Sequence, residues 1–158
     1  MNHCILCQDE GGHLVWRGDD ARVVLVEDHD LPGFCRVIWN RHVAEMSELS
    51  RIEREILMAL VDVVEFAVRR VMRPQKINLA SLGNQVPHLH WHVIPRFADD
   101  PYFPDSIWSP RHRDTTHAVL KLLRIDTSAN RAVTEEEITA SLEEGVDAGL
   151  IEAHEHQM

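Results

Sequence analysis

Apolar residues come in short runs early in the chain: Leu14–Trp16, Ala21–Val26 and Cys35–Trp39, separated by Gly18-Asp19-Asp20 and Asp30-Leu31-Pro32-Gly33. Runs of this length between glycine, aspartate and proline predict strands joined by turns. From Ser50 the pattern changes. Ile52, Ile56, Leu60, Val63, Ala67 and Val71 follow at steps of three and four, one stripe on the surface of an α-helix. Ser50 and Glu53 have the spacing of a capping box, in which each side chain accepts from an otherwise unpaired amide of the first turn. Pro74 ends the helix, because its ring disfavours helical backbone at Arg73 and it has no amide proton to donate.

Two further strands are predicted, Lys76–Leu82 and Leu89–Ile94, with Gly83-Asn84-Gln85 between them. Three strands, a long helix and two more strands joined by short turns predict an α+β domain. Its five-stranded antiparallel sheet would carry one long helix and occupy residues 1–112. Residues 113–158 read as a helical C-terminal extension of unknown role. Thr116–Arg124 is a short helix candidate. Thr134 with Glu137 is a second capping box, opening a helix through Glu144 with Gly145 and Gly149 as stops. The extension is acidic, with four Lys and Arg against ten Asp and Glu.

Composition narrows the function. A net charge of −10 excludes a protein that wraps nucleic acid, since neutralising phosphates needs basic surface. A single nucleotide needs only a few local donors in a pocket. No run is long and apolar enough to span a membrane, and the start of the chain lacks the basic and apolar regions of an export signal, so a cytoplasmic address is expected. Three cysteines, Cys4, Cys7 and Cys35, do not suggest a disulfide framework.

The chemistry is concentrated in His88-Leu89-His90-Trp91-His92. Along a strand, alternate side chains share a face, so Leu89, Trp91 and Val93 would meet the helix while the three imidazoles line the opposite side. Each ring needs partners for two nitrogens and neighbouring charges repel, so such crowding is costly as mere packing. It suits a site where an anion is bound and attacked. A neutral imidazole can attack phosphorus once its other nitrogen is held as a donor, and a neighbouring ring can donate to a phosphoryl oxygen or the leaving group. A metal site, or exposed histidines on a half-buried strand, would give the same alternation. His154-Glu155-His156 alternates too, in a polar setting with no such context.

With its flanks, His88-Leu89-His90-Trp91-His92-Val93-Ile94-Pro95-Arg96 resembles the signature of the histidine triad (HIT) superfamily: His, apolar, His, apolar, His and two apolars. Arg36-Val37-Ile38-Trp39-Asn40-Arg41-His42 is similar to the family strand that ends in a basic residue and histidine, and the resemblance covers roughly residues 1–112. It implies a homodimer whose sheets join across a two-fold axis, acting on a small nucleotide. His90 would attack the α-phosphorus and form a covalent nucleotidyl-histidine. His92 would contact a phosphoryl oxygen and help the leaving group, and His88 would hold the arrangement from beneath. Gln85, with Asn84 beside it, matches a polar position that bonds the phosphate. Asn78 would assist phosphate or ribose binding, and Asp28 or Glu27 falls near an acidic residue that takes ribose hydroxyls. Many relatives have a further histidine where this chain has Phe34, after Gly33, which bears on leaving-group handling. Asp99-Asp100-Pro101-Tyr102-Phe103-Pro104 looks like a branch described as diadenosine tetraphosphate hydrolases.

Cys4-Ile5-Leu6-Cys7 has the spacing of a metal knuckle, two ligands from one turn. In zinc-bearing members of the superfamily, positions matching His42 and His88 complete the site, which implies a structural zinc on Cys4, Cys7, His42 and His88. Redox use of the pair is less favoured, since no helix N-terminus is evident beside it to lower a thiol pKa. Cys35, Trp39 and Trp91 read as core, and Trp108 as a loop residue bordering the pocket. Three functions stay open. They are a hydrolase of nucleoside phosphoramidates or dinucleoside polyphosphates, a nucleotidyltransferase or phosphorylase using the same intermediate, and a non-catalytic nucleotide-binding regulator whose acidic tail meets a protein.

Overall fold

The computed structural model describes residues 3–114 and 128–145, with backbone alone for 128–134. The elements in chain order are α1 (Ile5–Gln8), β1 (His13–Arg17), β2 (Ala21–Leu25), β3 (Cys35–Trp39), α2 (Arg51–Met72), β4 (Lys76–Ala80), β5 (His90–Arg96) and α3 (Ser128–Gly145). The strands form one antiparallel sheet in the order β1-β2-β3-β5-β4, so the α+β expectation and all five strands are met. Strand β5 starts at His90, which leaves His88 just before it, on backbone tied down by Leu89 N–H to the Val43 carbonyl at 2.7 Å.

Helix α2 opens as its sequence dictates. The Ser50 hydroxyl accepts from the Glu53 amide at 3.1 Å, and the Glu53 carboxylate accepts from the Ser50 amide at 2.7 Å. It closes on Arg73 in the left-handed conformation, with Pro74 next. Its apolar stripe is wider than predicted. Leu57, Val61, Val64, Val68 and Met72 are buried beside Leu60, Val63 and Ala67, because α2 is covered on two sides, by the sheet and by α3. Ile52, expected in the stripe, is instead exposed, in the first turn of the helix.

The C-terminal helix also departs from the expectation. It starts at Ser128, so Thr134 falls within it rather than capping it. Ile138 and Leu142 are fully buried in the same core as Val23, Val37, Trp39 and Val93. Gly145 lies so close to α2 that a β-carbon there would meet Val63 Cγ1 at 2.8 Å. Ile138, Leu142 and Gly145, part of the segment set apart beyond residue 112, therefore pack against the sheet and α2. The candidate helix at Thr116–Arg124, Gly149 and the His154-Glu155-His156 alternation lie outside the described residues.

The sheet face away from α2 carries the site. Two small apolar clusters sit on it, one of Leu6, Val24 and Ile38, the other of Leu31, Phe34 and Ile94. Cross-strand pairs put Ile38 beside His90 and Arg36 beside His92 on this face. Among the described residues no helix is long and apolar enough to cross a membrane.

Candidate active site and metal cluster

The first histidine of the run is fully buried and turned toward the N-terminal segment. His88 Nε2 donates to the Trp39 carbonyl at 2.6 Å. That bond fixes the tautomer and leaves the Nδ1 lone pair free. Nδ1 lies 3.4 Å from Cys4 Sγ, 3.5 Å from Cys7 Sγ and 3.2 Å from His42 Nδ1, and Cys7 Sγ lies 3.3 Å from His42 Nδ1. All four donor atoms fall within 4.8 Å of one another. Zinc–sulfur bonds of about 2.3 Å and zinc–nitrogen bonds of about 2.0 Å, arranged as a tetrahedron, separate ligand atoms by about 3.3–3.8 Å. The donors and their spacing fit a four-coordinate zinc, and the Trp39 carbonyl is the outer partner such a histidine needs.

The knuckle is held in place by groups the sequence did not reveal. Cys4 caps a single helical turn, its carbonyl accepting from the Cys7 and Gln8 amides at 3.1 and 3.2 Å. This corrects the expectation that no helix stands beside the cysteines: one turn is too short to show a period. Buried Arg22 reaches up from β2 and donates to the carbonyls of Leu6, Asp9 and Glu10, at 2.7, 3.2 and 3.1 Å.

The second and third histidines open onto a cavity of about 850 Å³, lined among others by Ile5, Arg36, Asn84, Gln85, Val86 and Trp108. That volume suits a nucleotide. His90 Nδ1 donates to the His88 carbonyl at 2.5 Å, which leaves its lone pair on Nε2. Ser81 Oγ donates to the His90 carbonyl at 2.7 Å and pins the strand from the other side. Burial holds the His90 imidazole below its ordinary pKa, the His88 bond opposing and the Arg36 charge adding to the fall. The ring is therefore neutral at pH 7, as a nucleophile must be.

His92 packs edge-on against His90 at 4.9 Å and against Trp108 at 5.2 Å, with Phe34 at 5.6 Å. Its pKa is pushed down to about 4, first by burial and then by His90 and Arg36. Its Nδ1 is buried with no partner among the described residues.

Gln85 and Asn84 therefore join His90 and His92 around one cavity, in a loop where Gly83 takes a positive φ of 76°. Three other expected residues are engaged elsewhere. The Asn78 side-chain oxygen accepts from Arg96 at 2.8 Å, Asp28 accepts from the Asp30 amide at 2.9 Å, and Glu27 pairs with His13 at 3.5 Å. None is among the residues lining the cavity. The Asp99–Pro104 run folds around buried Asp100, which takes both Arg96 Nε and Nη2 and the amides of Phe97, Tyr102 and Phe103. Cys35 is fully buried with its thiol pushed up to about 12, an inert packing residue. Trp39 and Trp91 lie in and against the core, as expected. The residue missed is Arg36. Its signal was a lone charge inside the apolar run Cys35–Trp39, on the parity that the register pairs with His92.

A family model described as HIT domain matches residues 10–99. The chain is 33% identical over 101 residues to AP-4-A phosphorylase of Mycobacterium tuberculosis, covering 60% of this chain and 52% of that protein. It thus spans about half the length of the first curated relatives it matches. A histidine triad protein of Marinobacter aquaeolei superposes with a TM-score of 0.69 at 22% identity, over 85% of this chain and 91% of that one. A zinc-bound histidine triad family protein of Mycobacterium smegmatis does so with a TM-score of 0.60 at 19% identity, over 93% and 98%. With the family match covering more than half the sequence and the triad in place on its sheet, this chain belongs to the HIT family.

Proposed function

We propose that this protein cleaves a nucleotide substrate at its α-phosphorus through a covalent nucleotidyl-His90. The substrate would be a nucleoside phosphoramidate or a dinucleoside polyphosphate. The observation that carries this reading is the His90 Nδ1–His88 carbonyl bond, which leaves a neutral Nε2 lone pair at the wall of a nucleotide-sized cavity. In the first step the Nε2–phosphorus bond forms, and the bond to the leaving group breaks with its electron pair. His92, at the wall of the same cavity, donates to a phosphoryl oxygen. Gln85 and Asn84 supply further hydrogen bonds. In the second step water attacks phosphorus, loses a proton and returns His90 with its lone pair.

Zinc on Cys4, Cys7, His42 and His88 belongs to the same proposal. It would supply a structural tie between the N-terminal turn and the strand, with His90 left free. We also propose a homodimer paired along β4, which ends the sheet with Leu79 exposed and no neighbouring strand among the described residues. The three free cysteines suit a reducing, cytoplasmic setting.

A second reading, transfer to phosphate in place of water, is favoured by the likeness to a protein named AP-4-A phosphorylase. Product analysis separates the two. A hydrolase gives AMP from diadenosine tetraphosphate with or without added phosphate, whereas a phosphorylase gives ADP only when phosphate is present. AMP binding with no product from either substrate class would reject both readings in favour of a nucleotide-binding regulator.

A further inference from the structure

Among the described residues two arginines are buried, Arg22 and Arg96, and both are fully occupied. Arg22 bonds three backbone carbonyls and the Asn40 side chain at 3.3 Å, with the Glu10 carboxylate at 3.5 Å. Arg96 is clasped by both oxygens of Asp100 and by Asn78. Arg36 is different. Among the described residues its five N–H groups find one hydrogen bond, Nη1 to the Gly11 carbonyl at 3.2 Å. No carboxylate lies within ion-pair distance among those residues, its Nε is buried without a partner, and the guanidinium rests over the Phe34 ring at 5.6 Å. A half-buried cation left in this state costs free energy that an anion would recover.

The cavity tells which anion. Arg36 lines it together with His90 and His92, and sits opposite His92 across the β3–β5 ladder. Arg36 is the one arginine or lysine among the described lining residues, and its planar fork matches phosphate oxygens. We propose that Arg36 binds the phosphate next to the α-phosphorus, making this a site for phosphoanhydride substrates, with a polyphosphate rather than an amine as leaving group. The inference rests on the nucleotidyl-His90 reading and deepens it.

The chemistry of the leaving group agrees. When His90 Nε2 bonds to the α-phosphorus, the bond to the bridging oxygen breaks and its electron pair stays on the departing phosphate. A polyphosphate leaves as a stable anion at neutral pH and needs charge neutralisation, which Arg36 supplies. An amine must take a proton as it leaves, and His92, held neutral, together with Phe34 gives the site no strong acid. This cavity is therefore better equipped for an anionic leaving group than for an amine.

The test compares diadenosine tetraphosphate with adenosine 5′-phosphoramidate on the wild type, Arg36→Met and Arg36→Lys. The ratio of kcat/KM for the tetraphosphate to that for the phosphoramidate is expected to fall at least thirtyfold in Arg36→Met and by less in Arg36→Lys. Equal losses on both substrates, or no loss on either, would overturn the assignment. Calorimetric titration with tripolyphosphate gives a readout that needs no turnover. Arg36→Met is expected to weaken tripolyphosphate at least tenfold more than it weakens adenosine, and equal effects on the two would overturn the assignment. If the wild type binds tripolyphosphate through Arg36 yet turns over neither substrate, the catalytic reading fails while the phosphate site stands. Thermal unfolding of both variants separates a lost contact from a lost fold.

Discussion

His88 and His90 are two residues apart and carry the same side chain, yet they occupy opposite kinds of site. Around His88 every polar atom is turned inward: Nε2 is spent on a backbone carbonyl, and Nδ1 faces two thiols and a third imidazole across 3.2–3.5 Å. Around His90 one nitrogen is likewise spent on a carbonyl, but the other meets an open cavity of about 850 Å³. The first cluster presents four ligand atoms within 4.8 Å of one another. The open one has room, a lone pair and an unsatisfied cation. Which nitrogen the backbone engages decides which nitrogen works. The fold bonds Nε2 of His88 and Nδ1 of His90, and under the proposed function that difference would make one repeated residue a metal ligand and the other a nucleophile.

The largest effect should come from removing the lone pair on the open side. His90→Gln is expected to lower nucleotide release by about a thousandfold or more while leaving the metal cluster loaded. Steady-state rates and metal content by mass spectrometry on the same sample check both halves. Loss of both together would mean that the two sites are one. Conversely, Cys7→Ser, or treatment with a strong chelator, should strip zinc and destabilise the fold by several kcal/mol, seen as a lower unfolding temperature. If the melting curve were indifferent to chelation, the tie between turn and strand would be refuted.

A smaller effect is set by pH. His92 has a folded pKa of about 4 against an unfolded value of 6.5. Between those values the unfolded chain binds more protons than the folded one, so stability rises with pH across the window and is lost as pH falls from about 6.5 towards 4. For this one group the loss is on the order of 3 kcal/mol. His92→Gln should flatten that part of a denaturation-versus-pH curve, and an unchanged slope would assign the acid sensitivity elsewhere. Smallest is Trp108, exposed at the cavity mouth and edge-on to His92. Trp108→Ala is expected to weaken AMP by no more than about tenfold, the worth of one aromatic contact. Unchanged affinity and turnover would remove it from the site.

Local codes were readable and long-range pairings were not. The Ser50–Glu53 capping box, the stop at Pro74 and the alternation of His88, His90 and His92 each depend on residues a few positions apart, and each stands where the spacing put it. The family resemblance added His42, 46 residues from His88, to the cysteine pair, a grouping that no local pattern encodes. Arg36 showed only as a lone charge in an apolar run, because its meaning comes from facing His92 across two strands and, among the described residues, from a buried Nε without a partner. Asn78 depends on a cross-strand partner in the same way. Its neighbour across the sheet is the strand that ends in Arg96, and that guanidinium takes the amide oxygen. Ile138 and Leu142 looked like part of an acidic appendage until α3 was seen lying along α2. Net charge describes what faces water, and those two residues do not.

The central claim is that His90 itself becomes covalently nucleotidylated. Rapid mixing of the protein in excess over adenosine 5′-phosphoramidate and over diadenosine tetraphosphate, an acid-free denaturing quench, and peptide mass spectrometry test it directly. The account predicts an adenylyl group on the peptide containing His90, lost on mild acid treatment and missing from His90→Ala. Release of AMP at the wild-type rate by His90→Ala, or a label on any other residue, would contradict it.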